Sequence, residues 1–218
     1  MESKGKLKVL VIHGYRQCAK TSREKSGSLR KLLKKYVDFV YITAPNKIPS
    51  SIDEEYGWWF SKEDMSFNAL ENSHIDNGHQ ISVDHIINAF KEHGSFDGIL
   101  GFSQGATMAT HICALSEEDG FPFKIKFAIL CAGFKSRSLP HQCYYSKKIS
   151  CPSLHIYGDS DKVIPKEMSI ELQNCFQTFS VIIHSGGHYI PATSRERKDY
   201  ENFLLTFMKE HTTEVETF

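Results

Sequence analysis

The chain has 218 residues, and its 26 basic side chains balance 26 acidic ones, which argues against a nucleic-acid or anionic-membrane partner held by bulk charge. Its longest apolar stretch, around Phe127 to Phe134, falls far short of the ~20 residues that a membrane-crossing helix needs, so no stable membrane insertion is expected. At this length one domain over residues 1–218 is expected, burying about 70% of its unfolded surface around a single core.

Met1 to Lys6 lead into a short strand interrupted by Lys8, without the apolar run of a secretory signal. The expectation is a cytoplasmic chain, not secreted, able to enter the nucleus by diffusion. Its six cysteines (Cys18, Cys113, Cys131, Cys143, Cys151 and Cys175) then read as free thiols in a reducing compartment. Leu7 to Ile12 reads as a buried strand, followed by His13-Gly14-Tyr15-Arg16-Gln17. Leu29, Leu32, Leu33 and Tyr36 share one face of a first helix, with Arg30, Lys31, Lys34 and Lys35 on the solvated side. Phe39 to Thr43 is the second expected strand.

From Pro45 to Asn77 no regular element is expected. The segment is rich in Pro, Ser, Asn and acidic residues yet contains Tyr56-Gly57-Trp58-Trp59-Phe60 and Phe67. So long a loop in a compact domain is usually functional, and its aromatics argue against disorder. Two readings stay open: Trp58, Trp59 or Phe60 lines an acyl-binding pocket, or the aromatics plug the core. A second helix is marked by Ile86, Ile87 and Phe90.

The most informative feature follows. Phe96 to Gly101 reads as a strand, Gln104 to Leu115 as a helix, and between them lies Gly101-Phe102-Ser103-Gln104-Gly105. This is a G-x-S-x-G nucleophile elbow in a strand–turn–helix setting. Further strands are expected at Phe127 to Cys131, Ser153 to Tyr157 and Phe179 to Ile183, and further helices at Lys166 to Phe176 and Arg195 to Lys209. Strands alternating with helices imply an α/β domain with about six mostly parallel strands, covered on both faces. Ligands of such sheets bind at the carboxyl ends of the strands, where the strand order reverses.

A serine hydroxyl is a poor nucleophile at neutral pH and needs a histidine base oriented by a carboxylate. The loop Gly158-Asp159-Ser160-Asp161 and the loop Gly186-Gly187-His188 supply both, in the order Ser…Asp…His of an α/β-hydrolase. Asp161 is assigned the acid role because Asp159, directly at the strand end, is expected to tighten the turn. His188 is preferred over His184, which is expected at the strand end. The oxyanion donors are the backbone N–H groups of Gln104 and Tyr15. None of the 11 histidines shows a convincing metal-site spacing, and the chemistry needs no cofactor or metal.

Together the His13–Gln17 run, Gly57-Trp58-Trp59-Phe60, the elbow, Gly158–Pro165 and His184–His188 resemble the FSH-type serine hydrolases, most closely the animal ovarian-cancer-associated esterase branch. The resemblance spans nearly the whole chain. It implies a compact α/β-hydrolase with carboxylesterase activity on acyl esters and puts Ser103, Asp161 and His188 at the triad positions; the expected substrates are apolar esters, medium-to-long alkyl chains included. The acyl-protein thioesterase and lysophospholipase-like esterases share the Gly-Phe-Ser-Gln-Gly elbow. Their oxyanion loop usually carries an acidic residue, where Arg16 and Gln17 stand here. A thioester substrate stays open, as does a binding module that uses the scaffold without turnover.

Overall fold

A computed structural model describes residues 5–49 and 51–210; the expected single domain over 1–218 and the reading of the first residues extend beyond them. In chain order the elements are strand β1 (Leu7–Ile12), helices α1 (Ala19–Lys25) and α2 (Gly27–Leu33), strand β2 (Val37–Ile42), short strands β3 (Asn46–Lys47) and β4 (Tyr56–Gly57), helix α3 (His79–His93), strand β5 (Gly98–Phe102), helix α4 (Gln104–Ser116), strand β6 (Phe127–Cys131), a 3-10 helix (Leu139–Tyr145), strand β7 (Ser153–Gly158), helix α5 (Lys166–Gln173), strand β8 (Phe179–His184) and helix α6 (Ser194–Glu210). Six strands form one sheet in the order β2-β1-β5-β6-β7-β8, every pair parallel.

Alternation along the strands explains the three layers, because successive side chains leave opposite faces of a sheet. Leu10 and Ile12 of β1 join Ala128 and Leu130 of β6 in the core under α3 and α4. Leu7, Val9 and Val11 join Phe127, Ile129 and Cys131 in a second core, closed by Leu29 and Leu33 of α2 and by Tyr200, Leu204 and Phe207 of α6. Both faces being covered, the strands read as continuous apolar runs.

Two expectations change in detail. The single first helix is two, parted at Ser26, whose hydroxyl bonds Ser22 O at 2.7 Å and meets Tyr41 Oη at 2.6 Å; Tyr36 lies beyond both helices. Helix α1 had no apolar periodicity to reveal it. The segment 45–77 contains a regular piece, the antiparallel pair β3–β4, tied down by Asn46: its Nδ2 lies 3.1–3.2 Å from Gly57 O, Trp58 O, Gly78 O and Ser82 Oγ. The six cysteines are free, with Cys113 and Cys131 fully buried. Among the described residues no helix is long and apolar enough to cross a membrane.

β1 is flanked by β2 on one side and β5 on the other, with Ile12 level with Gly101. The chain thus reverses direction across the sheet between β1 and β5, and the loop at His13–Tyr15 and the turn at Ser103 open onto that crevice.

Burial holds several imidazoles neutral. It lowers His13 and His79 from the ordinary 6.5 to about 4, and His141 and His155 to about 3. The unfolded chain therefore takes up protons from pH 6.5 downward that the folded chain refuses until pH 4 or 3, so stability is full above 6.5 and falls with acidification. Urea unfolding from pH 7.5 to 5 is expected to show this fall. In His155→Gln the slope should be shallower by up to one proton, about 1.4 kcal/mol per pH unit.

Candidate active site

Ser103 joins β5 to α4 with φ 54° and ψ −121°, a left-handed φ that costs a non-glycine residue about 1–3 kcal/mol. Its neighbours over-determine it. Ser103 N donates to Cys131 O at 2.8 Å, and Ser103 O accepts from Ala106 N at 2.9 Å and Thr107 N at 3.2 Å. The flanking glycines are required by space: a Cβ at Gly101 would lie 2.4 Å from Ala106 Cα, and one at Gly105 would lie 2.2 Å from Ile12 O and 2.3 Å from His13 O. The first turn of α4 thus rests on the backbone at the end of β1.

The loops after β7 and β8 are stitched together. Asp159 N donates to His184 O at 2.8 Å, Ser160 N to Gly186 O at 3.2 Å and Ser160 Oγ to Ser185 O at 3.0 Å. In that seam His188 Nδ1 lies 2.7 Å from Asp161 Oδ2, and the Asp161 side chain is fully buried. The other carboxylate oxygen, Oδ1, accepts from Val163 N at 2.8 Å and Ile164 N at 2.9 Å. Asp161 therefore closes the turn with one oxygen and holds the imidazole with the other. This corrects the turn-tightening role expected of Asp159, which is half-exposed and pairs with Lys166 Nζ at 3.0 Å. The reason is reach: three residues beyond the strand, the Asp161 carboxylate is in register with the backbone donors two and three residues further on.

His184 ends β8. Its Nδ1 accepts from Gly186 N at 3.3 Å, its ring packs on Tyr189, and burial pushes its pKa down, so it shapes the turn that carries His188. His13 is likewise structural: its Nδ1 meets Gly14 O at 2.7 Å and its Nε2 accepts from Ala44 N at 2.9 Å, which fixes the proton on Nδ1.

The loop after β1 is held by the 45–77 segment. Arg16 N donates to Tyr56 O and Tyr56 N to Gln17 O, both at 3.0 Å, Gly14 N reaches Gln17 Oε1 at 3.3 Å, and Arg16 pairs with Glu55 at 2.8 Å. Arg16, at φ 61°, turns the chain between Tyr15 and that segment. The Gln104 side chain makes the second tie, its Oε1 accepting from Trp58 N at 2.9 Å and its Nε2 donating to Trp59 O at 2.8 Å. Trp58 Nε1 donates to His13 O at 2.7 Å.

Ser103 and His188 line the same cavity, of about 310 Å³, together with Gly14, Tyr15, Phe67, Leu70, Val163 and Ile164. Trp58, Trp59 and Phe60 do not line it. All three are fully buried, which corrects the pocket expectation in favour of the plug: the backbone ties to Gln104 turn the rings down into the core. Phe67, noted in the sequence but not assigned to the site, reaches the cavity and packs on Tyr15 at 5.3 Å. Phe102, the variable residue before Ser103, went unassigned too, and its ring lies 4.8 Å from that of His188. Beyond Phe102 and His188 a second cavity, of about 420 Å³, is lined by Gln17, Ser22, Lys25, Ser26, Tyr189 and Ile190.

Comparison with known proteins shows the family. The Serine hydrolase (FSH1) family model matches residues 1–200. The chain belongs to that family. Esterase OVCA2 of Danio rerio is 43% identical over 221 residues, covering 92% of this chain and 97% of that protein, and the Homo sapiens Esterase OVCA2 is 37% identical over 226 residues, covering 95% and 99%. Among solved structures, Zea mays acyl-protein thioesterase 2 superposes with a TM-score of 0.65 at 19% identity, covering 95% of this chain and 96% of that one. Esterase PE8 does so with a TM-score of 0.67 at 19% identity, covering 93% of each. The family member described here thus has the α/β-hydrolase fold and is a serine hydrolase.

Because Trp59 is enclosed, Trp59→Ala is expected to cost about 3–5 kcal/mol of stability through the void it leaves, read from urea unfolding. Any loss of turnover in this variant should be equal on short and long esters.

Proposed function

We propose that the protein is a carboxylesterase that hydrolyses esters with an apolar acyl group through Ser103, His188 and Asp161. The observation that carries this reading is the 2.7 Å contact between His188 Nδ1 and a fully buried Asp161 carboxylate, on the wall of the cavity that contains Ser103. Asp161 holds the proton on Nδ1, which leaves Nε2 free to act as base.

Ser103 Oγ forms a bond to the acyl carbon as its proton passes to His188 Nε2. The tetrahedral intermediate collapses with loss of the alcohol, which takes that proton, and water repeats the cycle on the acyl-serine. The oxyanion is received by the N–H groups of Gln104 and Tyr15. Gln104 opens α4, so its N–H has no acceptor within the helix and lies at the positive end of the helix dipole. The Tyr15 donor stands between those of Gly14 and Arg16, which are engaged with Gln17 and Tyr56.

The acyl group is assigned to the cavity beside Ser103, where Phe67, Leu70, Val163 and Ile164 give it an apolar wall. At about 310 Å³ it is at the low end of small-molecule sites, which run from about 300 to 1,000 Å³. The alcohol leaves past Phe102 and His188 into the cavity beyond, since the group that protonates it lines both.

A fluorophosphonate probe is expected to label the protein and to fail on Ser103→Ala; labelling that persists would refute the nucleophile. Asp161→Asn should lower kcat on a p-nitrophenyl ester by about 10⁴ through loss of the correct tautomer. Across p-nitrophenyl esters of increasing chain length, Phe67→Ala is expected to shift the optimum to longer acyl chains. An unchanged optimum would place the acyl group elsewhere. Thioesters of the same acyl groups, run in parallel, separate an esterase from a thioesterase.

A further inference from the structure

Under the aromatic plug lies a second group of chemically capable side chains that the hydrolytic site does not use. His79 at the start of α3, His111 in α4 and His141 in the 3-10 helix are all buried, and one ring nitrogen of each lies within 4.8 Å of the others. His79 Nε2 and His111 Nδ1 are 2.9 Å apart. His141 Nε2 is buried with no hydrogen-bond partner among the described residues, and the Asp76 carboxylate stands 3.6 Å from it.

We propose that His79 Nε2, His111 Nδ1 and His141 Nε2, with Asp76 as fourth ligand, bind one divalent transition-metal ion of the zinc type. Three imidazoles and a carboxylate are a suitable donor set for such an ion, and neutral imidazole is the ligating form. Burial keeps all three rings neutral at pH 7.

The geometry and outer contacts of the three imidazoles fit, and Asp76, whose carboxylate stands near His141 alone, would swing in as the fourth ligand. A tetrahedral zinc ion with metal–nitrogen distances of about 2.0–2.1 Å separates its nitrogens by about 3.3 Å. The observed 2.9 Å contact must open by a few tenths of an ångström, and the 4.8 Å limit must close by up to about 1.5 Å, within the reach of side-chain rotation. Ligating histidines usually engage their second nitrogen in a hydrogen bond that fixes the ring. Here His111 Nε2 lies 2.8 Å from Tyr145 Oη, and His141 Nδ1 lies 2.8 Å from Ser136 Oγ. Tyr144, which stacks on His111, also lines a cavity of about 440 Å³ that carries Glu117, Glu118 and Asp119. The ion would pin three elements beneath Trp59, whose ring lies 5.1–6.1 Å from all three imidazoles.

The test uses the full chain, stripped with EDTA and titrated with Zn²⁺ alone by calorimetry, then with Co²⁺, whose visible bands report tetrahedral nitrogen ligation. One ion per chain and a rise in Tm are expected. His141→Gln should weaken binding at least about 100-fold, and Asp76→Asn, a half-exposed position suited to replacement without loss of folding, about 10-fold or more. His188→Gln should bind Zn²⁺ unchanged, which separates this site from the hydrolytic one. Absence of binding at 100-fold molar excess, or affinity retained in both His141→Gln and Asp76→Asn, would overturn the proposal. Fluorophosphonate labelling of the stripped protein reports on Ser103 independently, so failure of either reading is distinguishable from failure of the other.

Discussion

Gly105 lies so close to the end of β1 that a methyl group there would approach the Ile12 and His13 carbonyls to 2.2 and 2.3 Å. The first turn of α4 can therefore stand directly on the strand that carries the His13–Gln17 loop. Because β1 and β5 are neighbours, this contact sets the spacing between the turn at Ser103 and the loop at Tyr15. A larger residue would lift the helix and part the two sides of the crevice. The strained φ of Ser103 is then tolerated because Cys131, Ala106 and Thr107 hold its backbone from three directions.

The 45–77 segment extends this support. Its Trp58, Trp59 and Phe60 rings lie in the core, while its backbone reaches the site at two places, Tyr56 against the Arg16–Gln17 turn and Trp58–Trp59 against the Gln104 amide. One residue, Gln104, thus presents a main-chain donor at the helix start and clamps the aromatic segment with its side chain. Such doubling favours rigidity, which electrostatic preorganisation requires. The same logic holds at the other end of the sheet, where Asp161 divides its two oxygens between backbone and imidazole.

Much of this was legible in the sequence because local rules produced it. Apolar runs gave the six strands of the sheet, and the glycines around Ser103 announced a turn whose crowding the structure makes explicit. Asp161 and His188 could be placed because each follows its own strand. What stayed hidden depends on contacts between distant residues. Gln104 and Trp58 are 46 positions apart, and no periodicity records that an amide will hold an indole-bearing backbone there. His79 and His111 are 32 apart, on different helices, so no ligand spacing links them. Helix α1 buries only Ser22, and so short a polar helix has no apolar stripe to betray it.

The position of β8 carries a further consequence. It is the last strand of the sheet, paired only with β7, and Phe179, Val181 and Ile183 lie open to solvent along it. Yet the loop bearing His188 hangs from its end, fastened to the Asp161 loop by a short seam of backbone bonds. Edge strands open more readily than central ones. Ser103 thus follows a strand paired on both sides while His188 hangs from the rim, so local opening at the rim would part the two residues while the body of the sheet is still intact.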